Sequence, residues 1–224
     1  MTTDAWAPTR MPLANAPVSF GFWGPHAGPQ GVSGRSVLHA VAAAGYAGSE
    51  LGPAEHLGDV SETAAAYLDA RLQCAGVHLG LHLQDPDGLS RAARLGLADV
   101  CRRPVAVQHA ARQAGAGQAE LPLGPIVLAD EGSSILRDHP ARAPADRSSA
   151  LDDATWKHAV QTITEAQQVI SEHGLATSFH PHLATHVESA WEVERLLSTT
   201  GVGITLDTGH LLLAGADPVA CLGS

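Results

Sequence analysis

Two short stretches concentrate the side chains that could do chemistry. Phe179-His180-Pro181-His182-Leu183-Ala184-Thr185-His186 carries three histidines in eight residues, and Leu206-Asp207-Thr208-Gly209-His210 follows one predicted unit later. In an extended chain, residues two apart face the same way, so His180 and His182 share a face while Phe179 and Pro181 take the other. Two imidazoles on one face suit a divalent metal or a proton relay. The bland alternative is a polar strand end with solvent-facing histidines. In the second stretch, the apolar run Val202-Gly-Ile-Thr-Leu206 delivers a carboxylate at its end, and a glycine turn brings an imidazole back over it. An anionic oxygen beside a neutral nitrogen is a sensible ligand pair for Mn²⁺, Co²⁺ or Zn²⁺, with Mg²⁺ a weaker match. Its bland alternative is an N-cap aspartate with an incidental histidine.

These residues need strand ends to present them. Val77–Leu83 alternates like a strand and breaks at Asp85-Pro-Asp-Gly88. Pro125–Asp130 is a buried-strand type of run, Ala176–His180 and Val202–Asp207 read as strands, and Pro17–Trp23 reads as the first strand after a loose leader, 1–16. Helices are predicted from Ser36 to Ala44, from Ser61 to about Cys74, from Asp153 to Gly174 and from Glu188 to Ser198. Leu89–Gln118 reads as two helices kinked at Pro104, and 132–149 as an active-site insertion rather than an ordinary connection. Strand and helix alternate about six times, the pattern of parallel βα units. Such folds place function at the C-terminal ends of strands. That singles out Trp23, Glu50, His82, the pair Asp130-Glu131, and the two histidine-bearing stretches. No GxGxxG or P-loop follows the first strand, which counts against a nucleotide-binding open sheet. An α/β architecture of (β/α)₈ type, cut short after about six units and filling 17–224 as one domain, is the expectation, since eight units need about 250 residues.

Composition narrows the function. The chain has 224 residues, 13 Lys+Arg against 23 Asp+Glu and a formal charge of −10. Such an acidic surface argues against nucleic acid or anionic lipid as a partner. Cys74, Cys101 and Cys221 form no pair or zinc knuckle. The first residues lack a basic-then-apolar signal pattern, so a cytoplasmic location is expected. Thr185-x-x-Glu188 reads as a capping box, which assigns Glu188 and His186 to a helix start. Trp156 and Trp191 read as packing residues, and His78, His109, His158 and His173 as surface or core.

"LDTGH" behind an apolar strand, with "FHPHLATHVE" before it, resembles the xylose-isomerase-like TIM-barrel superfamily. "GYAGSELGP" (45–53), "VLADEGS" (127–133) and "GHLLLAGADPVA" (209–220) are similar to its signatures after the second, fourth and sixth strands. The likeness covers nearly the whole chain and is weakest over 89–120. It is closest to the inosose-dehydratase-like branch, which has a His-Pro-His-type fifth strand where many relatives have Glu-Pro-His. The resemblance implies a metal-dependent sugar or polyol isomerase, epimerase or dehydratase working through an enediolate-type intermediate. It implies His180, Asp207 and His210 as metal ligands, and Glu50, Glu131 and His182 as catalytic groups. His182 would also meet substrate hydroxyls, with a small sugar or cyclitol as partner. From their strand-end positions, Trp23 and His82 are further substrate contacts, Trp23 reading equally as a core residue, and an open sheet edge fits a homo-oligomer. Family members add a seventh-strand histidine and an eighth-strand glutamate that this sequence lacks. Two rival readings follow: a shortened barrel without activity, whose open sheet edge a partner chain completes, or an abasic-site nuclease, which the charge disfavours.

Overall fold

The computed structural model describes residues 12–22, 31–52 and 56–222. In chain order the regular elements are β1 (Ala14–Asn15), α1 (Gly34–Ala43), β2 (Gly48–Leu51), α2 (Val60–Ala70), β3 (Gln73–Leu81), α3 (Arg91–Gln113) and β4 (Ile126–Asp130). They continue as α4 (Ser134–Arg137), α5 (Asp153–Glu172), β5 (Thr177–Phe179), α6 (Ala190–Thr200), β6 (Gly203–Ile204) and α7 (Thr208–Leu213). The strands are hydrogen-bonded in chain order, β1-β2-β3-β4-β5-β6. Every pair whose register is described is parallel. Parallel neighbours require a crossover, and here helices supply it. The expected α/β pattern of βα units is therefore present.

The chain forms two compact units, 1–76 with 103–123, and 77–102 with 124–224. In the first, Val37, Leu38 and Val41 from α1 and Ala66 and Tyr67 from α2 are buried, as are Leu51, Leu72 and Cys74. Asp59 caps α2 and Glu62 bonds back to the Asp59 N–H, a reciprocal capping box. This corrects the expectation that Ser61 starts that helix and that it runs to Cys74. It stops at Arg71, whose φ of 57° is left-handed, and Cys74 lies in β3.

Two further expectations change here. Pro17–Phe20 is a 3₁₀ turn rather than a strand. Proline's fixed φ suits the first helical position, where its missing N–H costs nothing, and Gly21 at φ 84° ends the turn. Trp23 lies outside the described residues. The first strand, β1, instead falls inside the stretch read as leader, with Ala14 opposite Gly48 and Asn15 opposite Ser49.

In the second unit, Ile126, Leu128 and Phe179 from the strands pack with Ile163 and Ile170 of α5 and Leu196 of α6, all fully buried. Trp156 is buried too, with the Arg195 guanidinium 4.5 Å from its ring centre. Helix α3 runs unbroken through Pro104 instead of splitting in two. Proline removes one backbone hydrogen bond, and the flanking Arg102, Arg103 and Ala106 are good helix formers. No helix among the described residues is long and apolar enough to cross a membrane.

Tyr67 is fully buried, and its hydroxyl donates to the carbonyls of Ser49 (3.2 Å) and Glu50 (3.0 Å) at the end of β2. Tyr67→Phe leaves the packing and removes the donor, so the unfolding free energy from a urea titration should fall by about 1–2 kcal/mol.

Candidate metal centre

Strand β5 ends at Phe179, and the His180 N–H still donates to the Leu128 carbonyl (2.7 Å), fixing His180 at the end of the ladder. Strand β6 is followed by Asp207, which is the N-cap of α7: its Oδ1 accepts the His210 N–H at 2.8 Å. One carboxylate oxygen is thus committed to the helix, and the other is free to face the histidines. Asp207 Oδ2 lies 3.3 Å from His180 Nε2 and 3.5 Å from His210 Nδ1, and the two nitrogens are 3.2 Å apart. Among the described residues, these are the three metal-capable side chains whose donor atoms converge. The two readings of Asp207, N-cap and ligand, are therefore compatible: each uses a different oxygen.

The spacing can be compared with what an ion needs. Donors with bonds of about 2.1 Å are separated by about 3.4 Å in a tetrahedral shell and about 3.0 Å in an octahedral one. The three distances fall between and around those values. Protonation fits as well, because ligands must be deprotonated. Burial, reinforced by His182, pushes the His180 imidazole down to about 4, with Asp207 opposing. Burial and His182 likewise hold His210 below the usual imidazole value. At Asp207 burial acts upward, but the His210 N–H and the two imidazoles outweigh it, and the carboxyl lies below its ordinary value. The three side chains therefore fit a divalent ion.

Around this triad lie further groups. The His182 ring centre is 4.1 Å from that of His210 and 5.4 Å from that of His180. Its Nδ1 is 2.7 Å from the Leu183 carbonyl, which can only accept, so Nδ1 carries a proton and Nε2 is the nitrogen left to face other partners. Glu131 is exposed, and its carboxylate lies over Gly80, where any Cβ would collide with it. His78, read from the sequence as surface or core, also belongs here, with its ring 6.4 Å from His180. Partial burial lowers its pKa, although the residue as a whole is exposed. Glu131 opposes that shift and His182 adds to it. The alternation of Val77-His-Leu-Gly-Leu-His-Leu83 puts His78 on one face with Gly80 and His82, and that was the available signal. His82 is exposed and outside the triad. Glu50 belongs to the first unit, where it lines a mainly apolar pocket with Pro17, Phe22, Leu38 and Tyr67, and burial raises its pKa.

Three polar residues take roles different from those expected. Glu188 caps no helix. Helix α6 starts later, at Ala190, and it is Glu192 that bonds back to the N-cap Ser189 N–H at 2.8 Å. Glu188 is instead fully buried, accepting from the backbone N–H groups of Arg142 (2.6 Å) and Ala184 (2.5 Å). His186 is likewise no capping residue. It is buried, and both its Nδ1 (2.7 Å) and its backbone N–H (2.8 Å) bond to Asp130 Oδ2. Asp130, read with Glu131 as a pocket pair, gives its other oxygen to the Leu83 N–H at 3.2 Å.

Residues 38–222 match the family described as "Xylose isomerase-like TIM barrel", and the chain belongs to that family. A rhizopine catabolism protein MocC from Rhizobium meliloti is 36% identical over 97 residues, which are 42% of this chain and 29% of the relative. An inosose dehydratase from Geobacillus kaustophilus is 35% identical over 100 residues, 43% of this chain and 32% of the relative. The matched stretch thus spans about a third of the length of these curated relatives. The solved structure of a probable 3-DHS dehydratase, AsbF, from Bacillus anthracis shares the fold. Its TM-score is 0.58 at 15% identity, with 95% of this chain and 69% of that one covered.

The Asp130–His186 contact gives a measurable pH dependence. Burial acts to raise the Asp130 pKa, but the His186 side chain and the backbone N–H groups of His186 and Leu83 outweigh it, so the carboxyl lies below its ordinary value. A carboxyl depressed by folding stabilises above its unfolded pKa, about 4, and that contribution is lost as pH falls through the folded value. At pH 7, Asp130→Asn, which loses charge-assisted hydrogen bonds, should cost about 1–3 kcal/mol. The gap from the parent should shrink below about pH 4 in urea titrations run from pH 7 to pH 2.

Proposed function

We propose that this chain carries the metal-binding part of a sugar or cyclitol isomerase, epimerase or dehydratase. In this reading His180, Asp207 and His210 hold the ion. The observation that carries it is the convergence of His180 Nε2, Asp207 Oδ2 and His210 Nδ1 at 3.2–3.5 Å from one another. Two imidazoles and one carboxylate favour Mn²⁺, Co²⁺ or Zn²⁺ over Mg²⁺, which prefers an all-oxygen shell. Such an ion supplies Lewis-acid polarisation of a substrate carbonyl or hydroxyl oxygen.

The remaining chemistry belongs to side chains. With Nδ1 of His182 committed to the Leu183 carbonyl, Nε2 is the ring nitrogen that, in the neutral imidazole, would accept a proton from the carbon next to a carbonyl and return it elsewhere. Glu131 and His78 sit on the neighbouring strand ladder, where an acidic and a basic group can exchange a proton with a substrate hydroxyl. Isomerisation, epimerisation and dehydration share an enediolate-type intermediate and differ in which carbon is reprotonated or which hydroxyl departs. The names of the relatives, an inosose dehydratase among them, support a polyhydroxylated carbonyl substrate.

Isothermal titration with Mn²⁺ and Co²⁺ tests the metal assignment. One ion per chain is expected, with affinity reduced more than about a hundredfold in Asp207→Ala and in His210→Ala. His182→Gln should bind the ion normally and lower turnover of an inosose or a ketose by about a hundredfold or more. Absence of saturable binding by the parent chain would overturn the metal assignment.

A further inference from the structure

His182 lies beyond β5, which ends at Phe179, in a segment with no regular structure that runs to the N-cap of α6. Its ring can be useful only if this irregular backbone is held still. We propose that Arg142, in the long segment between α4 and α5, is the positioning residue that holds His182 against the triad.

The Arg142 side chain is 7% exposed and reaches three acceptors. Nη2 forks onto the two Glu192 oxygens at 2.9 and 3.2 Å, and Nη1 donates to the Thr185 carbonyl at 3.0 Å. Its backbone N–H donates to Glu188 Oε1, while Glu188 Oε2 accepts the Ala184 N–H. Arg142 therefore grips the turn from two sides, at Thr185 directly and at Ala184 through Glu188. Both ends lead to His182. Thr185 Oγ1 donates to the His182 carbonyl at 2.7 Å, and the His182 N–H donates to the Val187 carbonyl at 3.1 Å. Ala184 has φ 65°, left-handed for a residue with a Cβ, a conformation that persists only when neighbours impose it. The imidazole then bonds to the Leu183 carbonyl, so the ring's direction depends on the peptide that the left-handed turn orients.

The triad itself is held mainly by other means: His180 by the ladder bond to Leu128, and Asp207 and His210 by the cap of α7, with the His210 ring also bonded to the Pro181 backbone. Loss of Arg142 should therefore displace His182 and leave the three donor atoms together. This inference rests on the metal-pocket reading for the use to which His182 is put, but the NMR comparison that tests it does not.

The test compares the parent with Arg142→Met and Arg142→Lys by histidine ¹⁵N NMR, near-UV circular dichroism and Co²⁺ titration. Lysine keeps the charge but cannot fork onto Glu192 while also reaching Thr185. In Arg142→Met the His182 Nδ1–H should exchange at least about tenfold faster and its ring signals should move toward a tautomer mixture, with a smaller change in Arg142→Lys. Co²⁺ affinity should stay within about threefold of the parent. Folded variants with the parent's His182 signals would overturn the proposal, as would a cobalt affinity that collapses in step with those signals. If Arg142→Met does not fold, Arg142→Lys decides by the same criteria. A parent that binds no cobalt sinks the metal reading, and the His182 comparison still decides the role of Arg142.

Discussion

A buried stretch of irregular backbone must find partners for its own N–H groups, and the second unit depends on how residues 184–189 meet that demand. Thr185 through Ser189 are all buried, yet they lie in neither strand nor helix. Side chains take the place of a ladder. Glu188 accepts from Ala184, Asp130 from His186, Thr185 Oγ1 from Val187, and Glu192 from both Glu188 and Ser189. Burying carboxylates is costly unless each is hydrogen-bonded and balanced by charge. The Arg142 guanidinium supplies the balance for two of them. The close approach of this segment also explains a glycine: Gly132, at φ 62°, could not carry a Cβ without striking the Ala184 carbonyl.

That arrangement lets two imidazoles stand at a strand end in a fixed geometry. The His182 ring lies 4.1 Å from that of His210, beyond the end of β5 at Phe179. Acidic residues, more numerous than basic ones in this chain, thus do structural duty inside the protein as well as solvating its surface.

Much of this was legible in the residues, for identifiable reasons. The βα alternation could be read because buried parallel strands leave short apolar runs between helices of 3.6 period. His180, Asp207 and His210 could be placed together because parallel strands deliver their C-terminal ends to one edge, and the glycine turn after Asp207 allows only a short return. The misses have physical causes as well. Thr185-x-x-Glu188 and Ser189-x-x-Glu192 are equally good capping boxes by pattern, and the tertiary bonds that Glu188 accepts from the Arg142 and Ala184 N–H groups, which a pattern does not contain, decided between them. Pro17–Phe20 has the composition of a strand, but proline's fixed φ and Gly21 make it a turn. β1 pairs through two residues, too few to leave a periodic trace. His78 sits in the middle of β3, away from the strand end at which parallel βα folds present functional groups, so its position along the strand carries no signal of a site. Arg142 lies in a polar, proline-punctuated segment with no periodicity, so its burial had no signal.

The dual use of Asp207 has a consequence for ion selectivity. Its Oδ1 is bound to the His210 N–H, so only Oδ2 is available to the triad. Any ion seated there meets a monodentate carboxylate and two nitrogens. Calcium favours six to eight oxygens with carboxylates that can grip in bidentate fashion. It would have to break the helix cap to gain a second oxygen, and would still face two imidazoles. If the triad holds an ion as proposed, the first turn of a six-residue helix would thereby act as a filter, disfavouring the large, oxygen-seeking cation and leaving the site to smaller, nitrogen-tolerant ones.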